Sequence, residues 1–230
     1  MGLRPVTQYN EVTQYSGAAA PKQALVSCVD QAFAAYNGWT WMMGDYGGSK
    51  LSAWLLEEQI TAMLGNPACV AYAISCDGDD VGVAACAFLI RCPSAAPPPP
   101  PGLLERARLA WHLGPRIATR LGAFNGAVAQ LHEQDAAGDH FKISLVGVRP
   151  HLQGRGLATQ VMRAMLATVD EAGLPCYLFT ANERNEAMYT RLGFSTRSRR
   201  SMGVAAAGAH AGEELVVRSM LRAAARVRGR

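Results

Sequence analysis

Charge is scarce in this sequence. Only 17% of its 230 residues are Asp, Glu, Lys or Arg, and just three are lysines, Lys22, Lys50 and Lys142. With 50% hydrophobic residues the chain can build a core, and it falls outside the class of highly charged, disordered chains. No lysine sits in a Gly-Lys-Ser/Thr triplet, which excludes a nucleotide-triphosphate loop. Long apolar runs are also missing. The longest, centred on Val83–Ile90, is about ten residues where roughly 20 are needed to cross a bilayer. The six cysteines include no Cys-x-x-Cys pair, and no cysteine and histidine grouping has zinc-finger spacing. Buried, reduced thiols and no bound metal are therefore expected. The start, Met1 to Val6, lacks the apolar stretch of a secretion signal and the Ser or Thr of a myristoylation motif, so an intracellular, cytoplasmic protein is expected. The net charge of +4 is lopsided: from Arg197 onward, eight arginines face only Glu213 and Glu214. An even basic coat for nucleic acid is absent, and residues 222–230 read as a solvated basic tail.

What is present suits one domain enlarged by an insertion. Leu3–Thr7 is a short extended candidate. Pro21 opens a helix whose apolar positions Leu25, Val29, Ala32, Phe33 and Tyr36 recur at helical spacing, with Gly38 ending it. The aromatic-rich stretch Tyr36–Tyr46 reads as a loop that either lines an acceptor pocket or packs under the domain. Ser49 caps a second helix that Gly65-Asn66-Pro67 stops. The runs 68–75 and 81–91, joined by Asp77-Gly78-Asp79-Asp80, predict a β-hairpin. Residues 93–102 include five consecutive prolines and form an exposed loop, followed by a helical insertion at about 103–137, kinked near Gly114-Pro115. Then come a strand at 140–149, an amphipathic helix at 156–172, a strand at 176–180, a helix from about Asn185 to Leu192, and two final extended runs. The order describes an α+β, three-layer α/β/α fold around one mixed central sheet of about seven strands.

The chemistry lies in Leu145-Val146-Gly147-Val148-Arg149-Pro150-His151-Leu152-Gln153-Gly154-Arg155-Gly156-Leu157-Ala158-Thr159. A hydrophobic strand enters a turn with two glycines and then a helix. The first N–H groups of a helix lack partners, its dipole end is positive, and glycines let a phosphate approach the backbone. A dinucleotide fingerprint is excluded, because Thr159 stands at its sixth position and Cys176 lies where its acid should be.

Gln153-x-x-Gly156-x-Ala158 resembles the pyrophosphate-binding motif of the GNAT superfamily of acetyl-CoA-dependent N-acetyltransferases. Val146-Gly147-Val148-x-Pro150 before it, and Asn182-x-x-Asn185-x-x-Met188-Tyr189-x-x-x-Gly193-Phe194 after it, resemble further parts of the family in order and spacing. Within the superfamily, the helical piece before His140-Phe141 and the run Gly173–Leu178 resemble the puromycin N-acetyltransferase-like branch. That branch usually has a glutamate where Phe179 stands here.

The resemblance implies acetyl-CoA as cofactor, with coenzyme A as product, and direct transfer to a primary amine, a small molecule in preference to a protein or peptide. It implies that Val146, Gly147 and Val148 present backbone groups to the pantetheine arm, with a β-bulge at Gly147 and the Val148 N–H polarising the thioester. Residues Gln153, Gly154, Arg155, Gly156, Leu157, Ala158 and Thr159 would cradle the pyrophosphate; Arg155 reads equally as a solvated side chain. Asn182 would meet the pantetheine arm, and Asn185 is either a ligand or, preferably, the cap of the helix that follows. Tyr189 would be the general acid for the departing thiolate. No general base stands out among His132, Glu133, His140 and Ser144, and a water relay serves as well. Cys176 as an acyl-carrying nucleophile is disfavoured. A non-catalytic acyl-CoA-binding sensor is the rival reading. A monomer or homodimer is expected, without membrane or nucleic-acid partners.

Overall fold

The computed structural model describes residues 9–17, 20–76, 82–93, 103–204, 212 and 214–225. The extended candidate at 3–7, the Asp-Gly turn, nearly all of the proline run and the end of the basic tail lie outside them.

Seven strands form one sheet in the order β1-β2-β3-β4-β5-β7-β6. They are β1 (Tyr9–Tyr15), β2 (Cys69–Cys76), β3 (Gly82–Cys92), β4 (His140–Val148), β5 (Cys176–Thr180), β6 (Ser195–Val204) and β7 (Glu214–Arg222). Every neighbouring pair is antiparallel except β4–β5, which is parallel. Parallel neighbours need a crossover, and α5 (Leu157–Ala172) supplies it. Its buried stripe of Leu157, Val161, Met162, Met165, Leu166 and Val169 covers one face of the sheet, beside α6 (Glu183–Arg191). The other face is covered by α1 (Lys22–Phe33), α2 (Asn37–Met43), α3 (Lys50–Gly65) and the long α4 (Leu103–Asp135). The result is the three-layer α+β arrangement, with two cores separated by the sheet.

Local chemistry sets most boundaries. Ser49 caps α3 by accepting from the Ser52 N–H at 3.3 Å. Gly173, left-handed at φ 63°, ends α5. In α4 the kink falls at Gly114 (φ 72°, ψ 160°), just before Pro115.

One expectation fails in an informative way. The first helix stops at Phe33, and the aromatic stretch expected to be a loop contains α2. Gly38 does not end a helix; it sits in the first turn of α2, where a Cβ would meet Tyr36 Cε1 at 3.0 Å and Phe124 Cζ at 3.4 Å. Trp39, Met42 and Met43 are buried, and the Trp39 indole donates to Ser52 Oγ (2.9 Å), which donates to Asp30 Oδ1 (3.0 Å). This buried chain ties α1, α2 and α3 together. Packing overrides weak local propensity here: Gly, Trp and Thr are poor helix formers, but the segment buries its apolar face between α4 and the sheet.

Candidate active site

β4 and β5 part company soon after they meet. Their pairing is confined to Phe141↔Cys176 and Lys142↔Tyr177, so the edge of β4 from Ile143 to Val148 has no strand partner on that side among the described residues. On the other side, Cys86 pairs with Gly147 and Phe88 with Ser144, which sets Leu145 and Val146 of β4 opposite Ala87 alone. That is a β-bulge, and Leu145 at φ 48° is the one non-glycine residue in the left-handed region among those described. The bulge is therefore centred on Leu145, not on Gly147. Gly147 serves close approach instead: a Cβ there would lie 3.3 Å from Ala32 Cβ and 3.5 Å from Val29 Cα, so its absence lets α1 pack on β4.

The gap opens into a cavity of about 450 Å³. Its walls include Val146, Val148, Gln153, Gly154, Gly156, Leu157, Ala158, Thr159, Asn182, Asn185 and Tyr189. Eleven of the thirteen residues singled out in the sequence thus converge on one space. The two exceptions are Gly147, turned toward α1, and Arg155, which is exposed and off the cavity wall. The cavity's own cations are Arg184 and Arg191, one near each end of α6.

The phosphate-sized end of the cavity is built by backbone. Gly154 and Gly156 both adopt left-handed conformations (φ 79° and 80°), and no side chain caps the start of α5. Helix geometry leaves the N–H groups of Leu157, Ala158 and Thr159 without intrahelical partners, at the positive end of the dipole. The Gln153 amide donates to the Val148 carbonyl at 3.2 Å, pinning the loop to the end of β4. These features fit a pyrophosphate group.

Asn182, not Asn185, caps α6: its Oδ1 accepts from the N–H groups of Arg184 (2.9 Å) and Asn185 (3.2 Å). Its Nδ2 donates to Asn37 Oδ1 at 3.2 Å. Beside it, the Tyr36 hydroxyl accepts from the Ala181 N–H at 2.7 Å and lies 3.5 Å from Thr180 Oγ1. Tyr36 and Asn37 thus clamp the α1–α2 corner onto the end of β5. Sequence reasoning noticed them only as part of an aromatic cluster, since their partners lie 144–145 residues away.

Tyr189 is 5% exposed on the cavity wall, and burial, with Tyr36 nearby, pushes its phenol above the ordinary tyrosine range. α6 is held in place by Arg218, whose guanidinium reaches Glu183 Oε1 (2.8 Å) and Glu186 Oε2 (2.8 Å). Glu186 also accepts from Thr196 Oγ1 and Arg199, both at 2.6 Å. Burial alone would raise the Glu186 carboxyl, but these partners outweigh it and hold it below its usual range.

Of the general-base candidates, only Ser144 lines the cavity. His132 and His140 lie at the opposite end of β4, and Glu133 is exposed. No Asp, Glu or His is among the described residues of the wall. Phe179 faces the cavity and packs edge-on against Phe124 at 6.0 Å. Cys176 is fully buried, with its thiol pushed up to about 12 by burial, which is the reverse of an activated nucleophile.

A splayed parallel pair, an uncapped helix start behind two left-handed glycines, and a tyrosine-bearing second helix thus meet at one cavity. Residues 37–194 match the Acetyltransferase (GNAT) family, and the chain belongs to that family of N-acetyltransferases. Solved structures agree on the fold. The arylalkylamine N-acetyltransferase 2 of Aedes aegypti superposes with a TM-score of 0.63 at 13% identity, over 93% of this chain and 99% of that one. The polyamine N-acetyltransferase of Drosophila melanogaster, which forms N-acetylagmatine, gives 0.58 at 12% identity, over 92% and 99%. A phosphinothricin acetyltransferase from Sinorhizobium meliloti, solved in complex with acetyl-CoA, gives 0.52 at 14% identity, over 94% and 89%. No helix among the described residues is long and apolar enough to cross a membrane.

Proposed function

We propose that this protein transfers the acetyl group of acetyl-CoA directly to a primary amine of a small molecule. The observation that carries the reading is the convergence, on one cavity, of the unpaired β4 edge, the glycine cradle and Tyr189. Acetyl-CoA supplies the thioester. The chain supplies the rest: backbone N–H groups at the start of α5, with Arg184 and Arg191, bind the phosphates, and the free edge of β4 pairs with the pantetheine arm. The Val148 N–H polarises the thioester carbonyl. Tyr189 donates its proton to the thiolate as the C–S bond breaks. With no carboxylate or imidazole among the described residues of the wall, the proton lost by the attacking amine leaves through water.

Phe33, Tyr36, Leu145 and Phe179 give the acceptor end an apolar lining. That lining, with no acidic group among its described residues, favours an amine with an apolar body over a polycation. We further read the chain as one domain with α4 as an insertion, acting as a monomer or homodimer.

The test is thiol release from acetyl-CoA with a panel of primary amines, comparing the native protein with Tyr189→Phe. The account expects turnover with an arylalkylamine, and a loss in kcat of about 100-fold or more in the variant at similar acetyl-CoA affinity. If acetyl-CoA binds but neither protein turns over any amine, the protein is an acyl-CoA sensor and the catalytic reading fails.

A further inference from the structure

At the end of β4 remote from the bulge, three side chains that are far apart in sequence come together. Cys92 closes β3, His132 lies in the last turn of α4, and His140 opens β4 directly across from Cys92. Cys92 Sγ and one ring nitrogen from each histidine lie within 4.8 Å of one another. The two Nε2 atoms are 2.7 Å apart. His140 Nδ1 is 2.8 Å from the Gly138 carbonyl, which makes that nitrogen the protonated one and leaves the Nε2 lone pair facing the cluster. A metal-ligating histidine is held by the same kind of outer hydrogen bond.

We propose that Cys92, His132 and His140 form a zinc site that clasps the end of α4 to the sheet. One thiolate and two imidazoles are the borderline-soft donor set that Zn²⁺ takes, with a water completing the tetrahedron. Two nitrogens at about 2.0–2.1 Å from one tetrahedral ion stand about 3.3 Å apart, so the imidazoles need part by only roughly half an ångström. His140 is buried, and Tyr177 packs on the His132 ring at 4.6 Å, so the surroundings hold both rings.

Lys142, two residues beyond His140 on β4, is a charged neighbour of both Cys92 and His132. A ligand imidazole binds in its neutral form. On binding, Cys92 releases its thiol proton to solvent, and His132 carries its proton on Nδ1 so that Nε2 can bind the ion.

The experiment adds Co²⁺, then Zn²⁺, to the full-length protein and follows absorption and thermal unfolding. The site predicts a near-ultraviolet thiolate-to-cobalt charge-transfer band and visible tetrahedral bands that saturate at one equivalent and are bleached by Zn²⁺. At Zn²⁺ 100-fold above Kd, Tm should rise by about 5–10 °C. Cys92→Ser should abolish the charge-transfer band, and His132→Gln or His140→Gln should weaken Co²⁺ binding at least tenfold. Far-ultraviolet circular dichroism confirms that each variant is folded. No charge-transfer band in the native protein, or one that survives Cys92→Ser, overturns the proposal.

Discussion

At the scale of single residues, two positions carry most of the proposed chemistry. Tyr189 is buried enough to keep its proton far above neutral pH, so it can act as an acid and cannot act as a base. With no carboxylate or imidazole among the described residues of the cavity wall, kcat/KM should rise about tenfold per pH unit until the amine's own pKa is reached. The falling limb from Tyr189 should lie above about pH 10, because burial raises the phenol from its ordinary value. A profile with a bend near pH 6–7 that stays put when the amine is changed would require a side-chain base. Gly156, at φ 80° beside the uncapped start of α5, tests the phosphate cradle. Gly156→Asp places a carboxylate where the pyrophosphate should sit, and calorimetry should find acetyl-CoA binding weakened at least tenfold. The motif around Gly156 was legible from the sequence because strand, glycines and helix start are contiguous. Arg184 and Arg191 were not, since an arginine on a polar helix face carries no local sign of the space it borders.

At the scale of elements, the mixed sheet of about seven strands and the Ser49 cap follow from local signals, but the strand order and the way elements dock do not. α2 was hidden because its glycine, tryptophan and threonine argue against a helix until Phe124 and Asp30 arrive from elsewhere in the chain. Gly147 was read as the bulge, although the positive φ belongs to Leu145; the glycine's reason is α1, which no strand pattern reveals. Gly147→Ala should therefore cost about 1–3 kcal/mol of stability in denaturant unfolding through overpacking against Ala32. Unchanged stability would mean that α1 does not press on β4 as described. The Arg218–Glu186 pairing that seats α6 makes a second stability prediction. Glu186→Ala should cost about 1.5–3 kcal/mol, because it strips a buried guanidinium of one partner. The Glu186 carboxyl is held below its unfolded value, so its contribution is present above the usual carboxylate range. It is lost as the pH falls through the lowered folded value. The native protein should therefore lose more stability than Glu186→Gln on going from pH 6 to pH 3.

At the scale of the molecule, the scarcity and imbalance of charge take on a different meaning. Three of the C-terminal arginines serve structure: Arg199 and Arg218 meet Glu186, and Arg222 pairs with Asp170 at 2.5 Å. The cations at the candidate site lie on α6, outside the basic stretch. Cofactor binding should stabilise the whole fold by mass action, by about 2.7 kcal/mol when acetyl-CoA is 100-fold above its Kd. The central claim concerns the acetyl group, and mass spectrometry of a reaction with acetyl-CoA and an arylalkylamine tests it most directly. The account predicts one N-acetylated amine for each thiol released, with no acetyl group left on the protein. Thiol release without acetylated amine, or a stable acetyl-protein that forms first, would contradict direct transfer.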